Sequence, residues 1–419
     1  MLLPLTLLLS CLLLASSQAS EDPYIEPTHP LIHLEGRWHI PADPESAAAD
    51  DAAPPMRSRL RAAGVSADWP CSGVRFELDS PADSRNVTVH WAGLRTRLLA
   101  TVSGQPPVVL SGVASELSPE IPVQHDTLRL PTGRAVVHLR KLTQATPYSM
   151  GIGRVLRPSV LQFHGLTLQP GLKLAATGEV QRRIEFIGAS DTAGYCVDGT
   201  QNTSSIGDTL LGWELSNCDS AYPGVLGRAL GADISVQALA GAGLTQNANA
   251  ARVWEDGKLT MAQLHTRTLQ TSPRQWDVAS HPSPNLVVVS LGGNDYNHQD
   301  GHVPANATFT AAYMRLLEQL FFYSDELVVA SVCGMGSPAE AAFDPDNNRC
   351  RPCPHVERAV AAFHAKYPMR RVAYLFVPCD GTVVDDHGDI GCDGHKNRLG
   401  QGKVAKYLEP RLRQLMSWT

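Results

Sequence analysis

The 419-residue sequence has no excess of positive charge: 35 Lys and Arg stand against 41 Asp and Glu, a net charge of −6. No Lys/Arg stripe gathers that charge locally, which excludes a nucleic acid or other polyanionic partner. Long apolar runs are missing too. The longest, at the start of the chain, is about 14 residues, short of the 18 or so that a membrane span needs. There is no internal repeat of fixed period. There is also no helical His pair or tetrahedral Cys/His set of the kind that holds zinc. The segment "FDPDNNRC" alternates acids but lacks the Gly and distal Glu of a calcium loop, so it reads as surface. Asp385, Asp386, His387 and Asp389 in "DDHGDIGCDGH" are metal-ligand types without such a frame, and no metal is expected there. Disorder is excluded as well, since 43% hydrophobic and 18% charged residues are ordinary for a globular protein long enough for two domains.

The opening "MLLPLTLLLSCLLLASSQAS" is an apolar core followed by the small-x-small pattern Ser17-Gln18-Ala19, which reads as a signal peptide over residues 1–19. An uncleaved anchor is the lesser reading. Cleavage removes Cys11 from the nine cysteines and leaves an even number in a secretory setting, so disulfides are expected. Cys196 and Cys218 bracket one loop and Cys379 and Cys392 another, which predicts those two bridges. The pairing of Cys71, Cys333, Cys350 and Cys353 stays open. Cys350-Arg351-Pro352-Cys353 has redox spacing but precedes no thioredoxin-like unit, and structural bridges are favoured. Sequons at Asn86, Asn202 and Asn306 fit a secreted glycoprotein.

Residues 43–68 are rich in Ala, Pro, Asp and Ser. From Val74 to about Leu174 come short alternating runs: "VRFELD", "NVTVHWAG", "RLLATVSG", "PPVVLSG", "DTLRLPTG" and "AVVHLRKL". They predict a β-sandwich. After "GLKLAATGEVQ" the pattern changes. "IEFIG", "ISVQALA", "NLVVVSLGG", "ELVVASVCG" and "RRVAYLFVP" read as buried parallel strands, alternating with stretches of helical period. That series predicts a doubly wound α/β sheet with crevices at its strand carboxyl ends.

The residues that follow those strands include Ser190 after the first, Gly241 and Gly243 after the second, and Asn294 after the third. Asp393 and His395 lie in the last loop. A nucleophilic serine requires a base, a group that orients the base, and donors aimed at the developing oxyanion. All these types are present. Asp393 and His395 come from one loop, so the carboxylate is expected on one imidazole nitrogen with Ser190 on the other. The amides of Ser190 and of Gly241 or Gly243, with the Asn294 side chain, would form the oxyanion hole. Tyr195 and Tyr296 follow these segments closely and are expected to line the cleft, while Trp213 and Trp276 suit a core equally well.

"IEFIGASDTAGYC", "LAGAGLTQN", "VVVSLGGNDYN" and "GCDGHKNRLGQGKVA", in this order, resemble the blocks of the SGNH (GDSL-type) hydrolases, and most of all carbohydrate esterase family 2. The resemblance implies a jelly-roll β-sandwich over residues 27–178 and a flavodoxin-like SGNH domain over residues 180–419. It implies Ser190 as nucleophile, His395 as base and Asp393 as its partner. Ser190, Gly241 and Asn294 would form the oxyanion hole. It also implies a secreted esterase that removes acetyl or other small acyl groups from a polysaccharide or glycan, with no cofactor. A lipase or thioesterase of the same fold, and a glycan-binding protein with a weakened hydrolase domain, are the alternatives. The chain departs from the family at Ala189, where Asp is usual, with Asp191 a possible substitute. It departs again at Gly293, where Thr is common.

Overall fold

The computed structural model describes residues 23–41, 64–81, 85–113, 121–145, 149–150, 154–155, 159–201, 214–248, 259–297, 302–338 and 349–419. The proposed leader, Asn202, Trp213 and most of "FDPDNNRC" lie outside the described residues.

Two antiparallel sheets form the first half. One carries Tyr24–Ile25, Leu161–Leu168, Arg85–Gly93 and Gln124–Leu130 in spatial order, with Val65–Ala67 beside Leu161–Leu168. The other carries Lys173–Ala175, Gly73–Ser80, Gly133–Lys141, Arg97–Val102 and Val108–Ser111, with His33–Glu35 beside Gly73–Ser80. Successive side chains of a strand point to opposite faces. Alternate residues such as Val74, Phe76 and Leu78, or Val87, Val89 and Trp91, therefore meet in one core between the sheets. Strand Leu161–Leu168 escapes a simple alternation test because its register shifts between Phe163 and Leu166, around Gly165 at φ 95°. That bulge puts Leu161, Phe163, Leu166 and Leu168 on the same inner face.

The second half is a five-stranded parallel sheet. Its strands are β1 (Arg183–Gly188), β2 (Asp233–Ala238), β3 (Leu286–Ser290), β4 (Val328–Gly334) and β5 (Arg371–Val377), in the order 2-1-3-4-5. Both faces are covered. Ile184, Phe186 and Val288 turn towards helices α2 (Tyr222–Leu230) and α5 (Arg398–Met416). Ile187, Val287 and Val289 turn the other way, towards α3 (Asn306–Leu320) and α4 (Cys353–Lys366). A further helix, α1 (Ser190–Ala193), is a single turn directly after β1. Among the described residues, no helix is long and apolar enough to cross a membrane.

The sandwich is joined to the α/β half by buried polar contacts and one covalent link. Arg37 donates to both Glu185 oxygens on β1 (3.1 and 3.2 Å), to the Arg267 carbonyl (2.9 Å) and to the Tyr323 hydroxyl (3.2 Å). It also donates to the carbonyl of His265. Asp68 accepts from the Gln270 and Thr271 amides, and Trp69 Nε1 donates to the Thr268 carbonyl. Cys71 is bonded to Cys218. Trp276, open to either reading in the sequence, packs over the Arg37 guanidinium at this junction.

Two expectations follow from this junction. Glu185→Gln leaves the Arg37 cation buried without a counter-charge, and chemical denaturation should show a loss of about 3–5 kcal/mol. His265 is buried, and that burial, with the charge of Arg37 adding to it, pushes its pKa down to about 4. An unfolded histidine titrates near 6.5. Between those values the unfolded chain binds more protons than the folded one, so stability falls by up to about 3 kcal/mol as pH drops from about 6.5 to about 4. The same titration on His265→Gln should lack that component.

Candidate active site

A parallel sheet places the carboxyl ends of all its strands on one edge, and the 2-1-3 order makes β1 the point where connections leave in opposite directions. Ser190 stands there, at the first position of α1, where a helical N–H has no intrahelical acceptor. Gly188 is required just before it. A Cβ at Gly188 would lie 2.0 Å from Thr192 Oγ1, and Thr192 is itself held by the Tyr222 hydroxyl at 2.8 Å.

His395 Nε2 lies 2.8 Å from Ser190 Oγ, and His395 Nδ1 lies 2.7 Å from the backbone carbonyl of Asp393. A carbonyl can only accept, so Nδ1 carries the ring proton and Nε2 presents its lone pair to the serine hydroxyl. Burial, and next the charge of Arg349, hold the His395 pKa below the ordinary histidine value. The ring is thus neutral at neutral pH, the form a base requires.

The Asp393 carboxylate does not take the place expected of it. Asp393 has left-handed backbone angles (φ 53°, ψ 37°), which turn its carbonyl to the imidazole and its side chain outward to an exposed position. There its Oδ2 is 3.5 Å from the Tyr195 hydroxyl. Asp389, the other acid of this loop, is fully buried and accepts from the Asp385 amide (2.9 Å) and Lys403 (2.7 Å). It braces the loop away from the ring.

Of the two glycine registers in "AGAG", one is occupied. The Gly243 amide donates to Asn247 Oδ1 at 3.1 Å, and a Cβ at Gly243 would lie 1.9 Å from the Gln246 carbonyl. Gly241 has φ +78° and its amide donates to no acceptor among the described residues. Asn294 Nδ2 donates to the Ala242 carbonyl at 2.8 Å, which ties it to the same loop and leaves a second amide hydrogen. Holding both loops together is Asp295, fully buried, which accepts from the amides of Leu244 (2.8 Å), Thr245 (2.6 Å) and Gln246 (3.3 Å). Its place next to Asn294 in "GGND" was the available signal.

Tyr195 packs edge-on against the His395 ring, with centroids 4.8 Å apart. Tyr296 corrects the cleft expectation, because it is 1% exposed, stacked on His355 and edge-on to Phe309. The turn that directs Asp295 inward sends Tyr296 into the core.

The bridges differ from those expected. Cys196 pairs with Cys392 and Cys218 with Cys71, while Cys350 pairs with Cys379 and Cys333 with Cys353. Neither loop is closed by its own cysteines. The turn after α1 packs directly on the Cys392–Gly394 turn, so that a Cβ on Gly199 would lie 2.5 Å from Cys392 Sγ. The Cys196–Cys392 bridge therefore fastens the serine segment to the histidine loop.

The cluster of possible metal ligands found among the described residues, His33, Glu35 and Asp233, is remote from Ser190 in the fold and lies where the sandwich meets β2. Arg75 already supplies a cation there, 3.1 Å from Asp233 and 3.5 Å from Glu35.

A parallel sheet in this order, with a serine after its first strand and a histidine before its last helix, is the arrangement of the SGNH hydrolases, which the chain resembles. No protein-family model matches it. The chain is 29% identical over 252 residues to the cellulase/esterase CelE of Acetivibrio thermocellus, covering 59% of this chain and 27% of that protein. It is 27% identical over 205 residues to an acetylxylan esterase / glucomannan deacetylase of Cellvibrio japonicus, covering 47% of this chain and 52% of that one. In both cases the chain spans well under two thirds of the relative. Among solved structures, a family two carbohydrate esterase from Clostridium thermocellum in complex with cellohexaose superposes with a TM-score of 0.69 at 21% identity, over 93% of this chain and all of that one. The chain thus resembles carbohydrate esterase family 2, and it has the fold of the solved family two carbohydrate esterase.

The geometry yields an expected pair of outcomes for the histidine loop. His395→Ala should lower turnover of an activated acetyl ester by at least about 10³-fold. Asn keeps the left-handed conformation that Asp393 requires. Asp393→Asn should therefore retain turnover within about fivefold at the pH plateau, because the carbonyl stays in place. Its acid limb should move to lower pH, since an anion that favours the charged ring is gone. Steady-state kinetics across pH distinguishes these results.

Proposed function

We propose that this chain is a secreted serine esterase that removes acetyl groups from a polysaccharide or other glycan. The observation that carries the reading is the 2.8 Å contact between Ser190 Oγ and His395 Nε2, with the opposite ring nitrogen held by a carbonyl. The names of the relatives, an acetylxylan esterase and a cellulase/esterase, supply the substrate class. Four disulfides support secretion. We read residues 27–178 as a jelly-roll domain and residues 180–419 as the catalytic domain, with residues 1–19 as the leader.

In this reading His395 accepts the Ser190 proton as Oγ attacks the acetyl carbonyl. The amides of Ser190 and Gly241, with the Asn294 side chain, receive the oxyanion. The imidazolium then protonates the departing sugar oxygen as the C–O bond breaks, releasing the sugar hydroxyl and leaving an acyl-serine. Water, deprotonated by the same histidine, releases acetate and restores the hydroxyl. Tyr195 forms a wall of the cleft beside the base.

Ser190→Ala should abolish acetate release from acetylated xylan or glucomannan while leaving the thermal midpoint nearly unchanged. Asn294→Ala should cost on the order of 10² to 10³ in kcat. Hydrolysis of long-chain esters in preference to acetyl groups would favour a lipase or thioesterase. Glycan binding without turnover would favour a binding protein.

A further inference from the structure

The serine turn of this chain has lost the acid that usually precedes the nucleophile, and Ala189 offers no side-chain cap to α1. A different set of groups is gathered beneath it. Asp191, one residue after Ser190, accepts at Oδ2 from Lys396 Nζ (2.9 Å) and from Arg349 Nε (2.9 Å). Lys396 directly follows His395, is 1% exposed, and also donates to the Met335 carbonyl at the end of β4 (2.8 Å). The Asp191 carbonyl accepts from Gln401 on α5 (3.1 Å). Arg349 comes from a third place. It precedes Cys350, which is bonded to Cys379 beyond β5, while Cys353 is bonded to Cys333 on β4. The Cys-x-x-Cys segment is thereby stapled twice to the sheet edge.

We propose that Asp191, Lys396 and Arg349 form a positioning clamp that joins the nucleophile turn to the histidine loop, with Arg349 held in it by the two bridges of the Cys350–Cys353 segment. This rests on the esterase reading for its effect on turnover, but not for its geometry. A lysine buried this completely needs a counter-charge, and Asp191 supplies it. Burial alone would raise the Asp191 pKa, yet Arg349 and Lys396 hold it well below the usual carboxylate range, so the clamp stays ionised.

The clamp also sets the electrostatics of the base. The groups facing His395 are Ser190 and Asp191 on the nucleophile turn, Tyr195 after α1, Arg349 beside Cys350, and Asp393 and Lys396 on its own loop. Arg349 and Lys396 disfavour the imidazolium, whereas Asp191 and Asp393 favour it. Removing Arg349 must therefore raise the proton affinity of His395 and removing Asp191 must lower it. A purely structural role predicts no such opposition of sign.

The test is a titration of His395 by NMR in the ring-labelled full chain, together with pH profiles of kcat/KM on 4-nitrophenyl acetate. In Arg349→Met the His395 pKa, and the acid limb with it, should move up by roughly half a unit to one unit. In Asp191→Asn both should move down, and kcat should fall about 10-fold or more with KM little changed, because the buried Lys396 loses its carboxylate counter-charge. Arg349→Lys should restore most of the shift. If Arg349→Met leaves the titration where it was, or if both variants shift it in the same direction, the clamp is refuted. Should the Asp191 variant fail to fold, the partly exposed Arg349 still decides the question. A wild type that titrates as described but does not hydrolyse the ester would overturn the esterase reading and leave the clamp standing.

Discussion

Because the five strands of the second half run parallel, every loop that could carry chemistry leaves the sheet on one edge, and the rest of the arrangement depends on that constraint. Ser190, Gly241 and Asn294 are separated by 51 and 53 residues of chain, yet they follow three adjacent strands, β1, β2 and β3. Parallel pairing requires crossover connections, and these supply the helices that bury both faces. The same helices hold the sheet rigid beneath the loops. Position along the edge is thus inherited from strand order, and little of it has to be specified by the loops themselves.

What the loops must specify is approach at the scale of a hydrogen bond, and here the chain uses charge and sulfur. The serine segment is tied to the histidine loop twice, by Cys196–Cys392 and by Asp191 with Lys396. The loops that carry Gly241 and Asn294 are tied to each other by the buried Asp295 and by Asn294. Each buried carboxylate would be costly alone, and each is offset by several donors or by cations. A histidine oriented by a carbonyl lacks the full charge of an adjoining carboxylate, so nearby ionised groups have more influence on its basicity. This gives the Asp191 cluster a consequence beyond stability.

The sandwich takes part in this by bracing the sheet. Arg37 reaches Glu185 on β1, five residues before Ser190, and Trp69 enters the α/β core beside Ile187 and Val289. Cys71–Cys218 fastens the sandwich to the segment leading into α2. The two halves share buried charges whose partners lie across the junction, so separating them would expose or orphan those charges.

Local signals made much of this legible. Period-2 runs announced the sandwich strands, uninterrupted apolar runs announced β1 to β5, and the order of "GASD", "AGAG", "GGND" and "CDGH" placed a serine, a glycine, an amide and a histidine after the right elements. Those features depend on neighbours within a few residues, which is why sequence alone determined them. Strand Leu161–Leu168 was missed because its bulge breaks the period. Only the tertiary structure decided the rest. The cysteines pair with partners brought near by the fold, not with those that bracket the same loop. Tyr296 turns inward because Asp295 beside it is needed between two loops. A positive φ at Asp393 gives the imidazole a carbonyl in place of a carboxylate, and Asp191 meets Lys396 and Arg349 across 205 and 158 residues of chain. Each of these depends on a torsion angle or a meeting in space that no local pattern encodes.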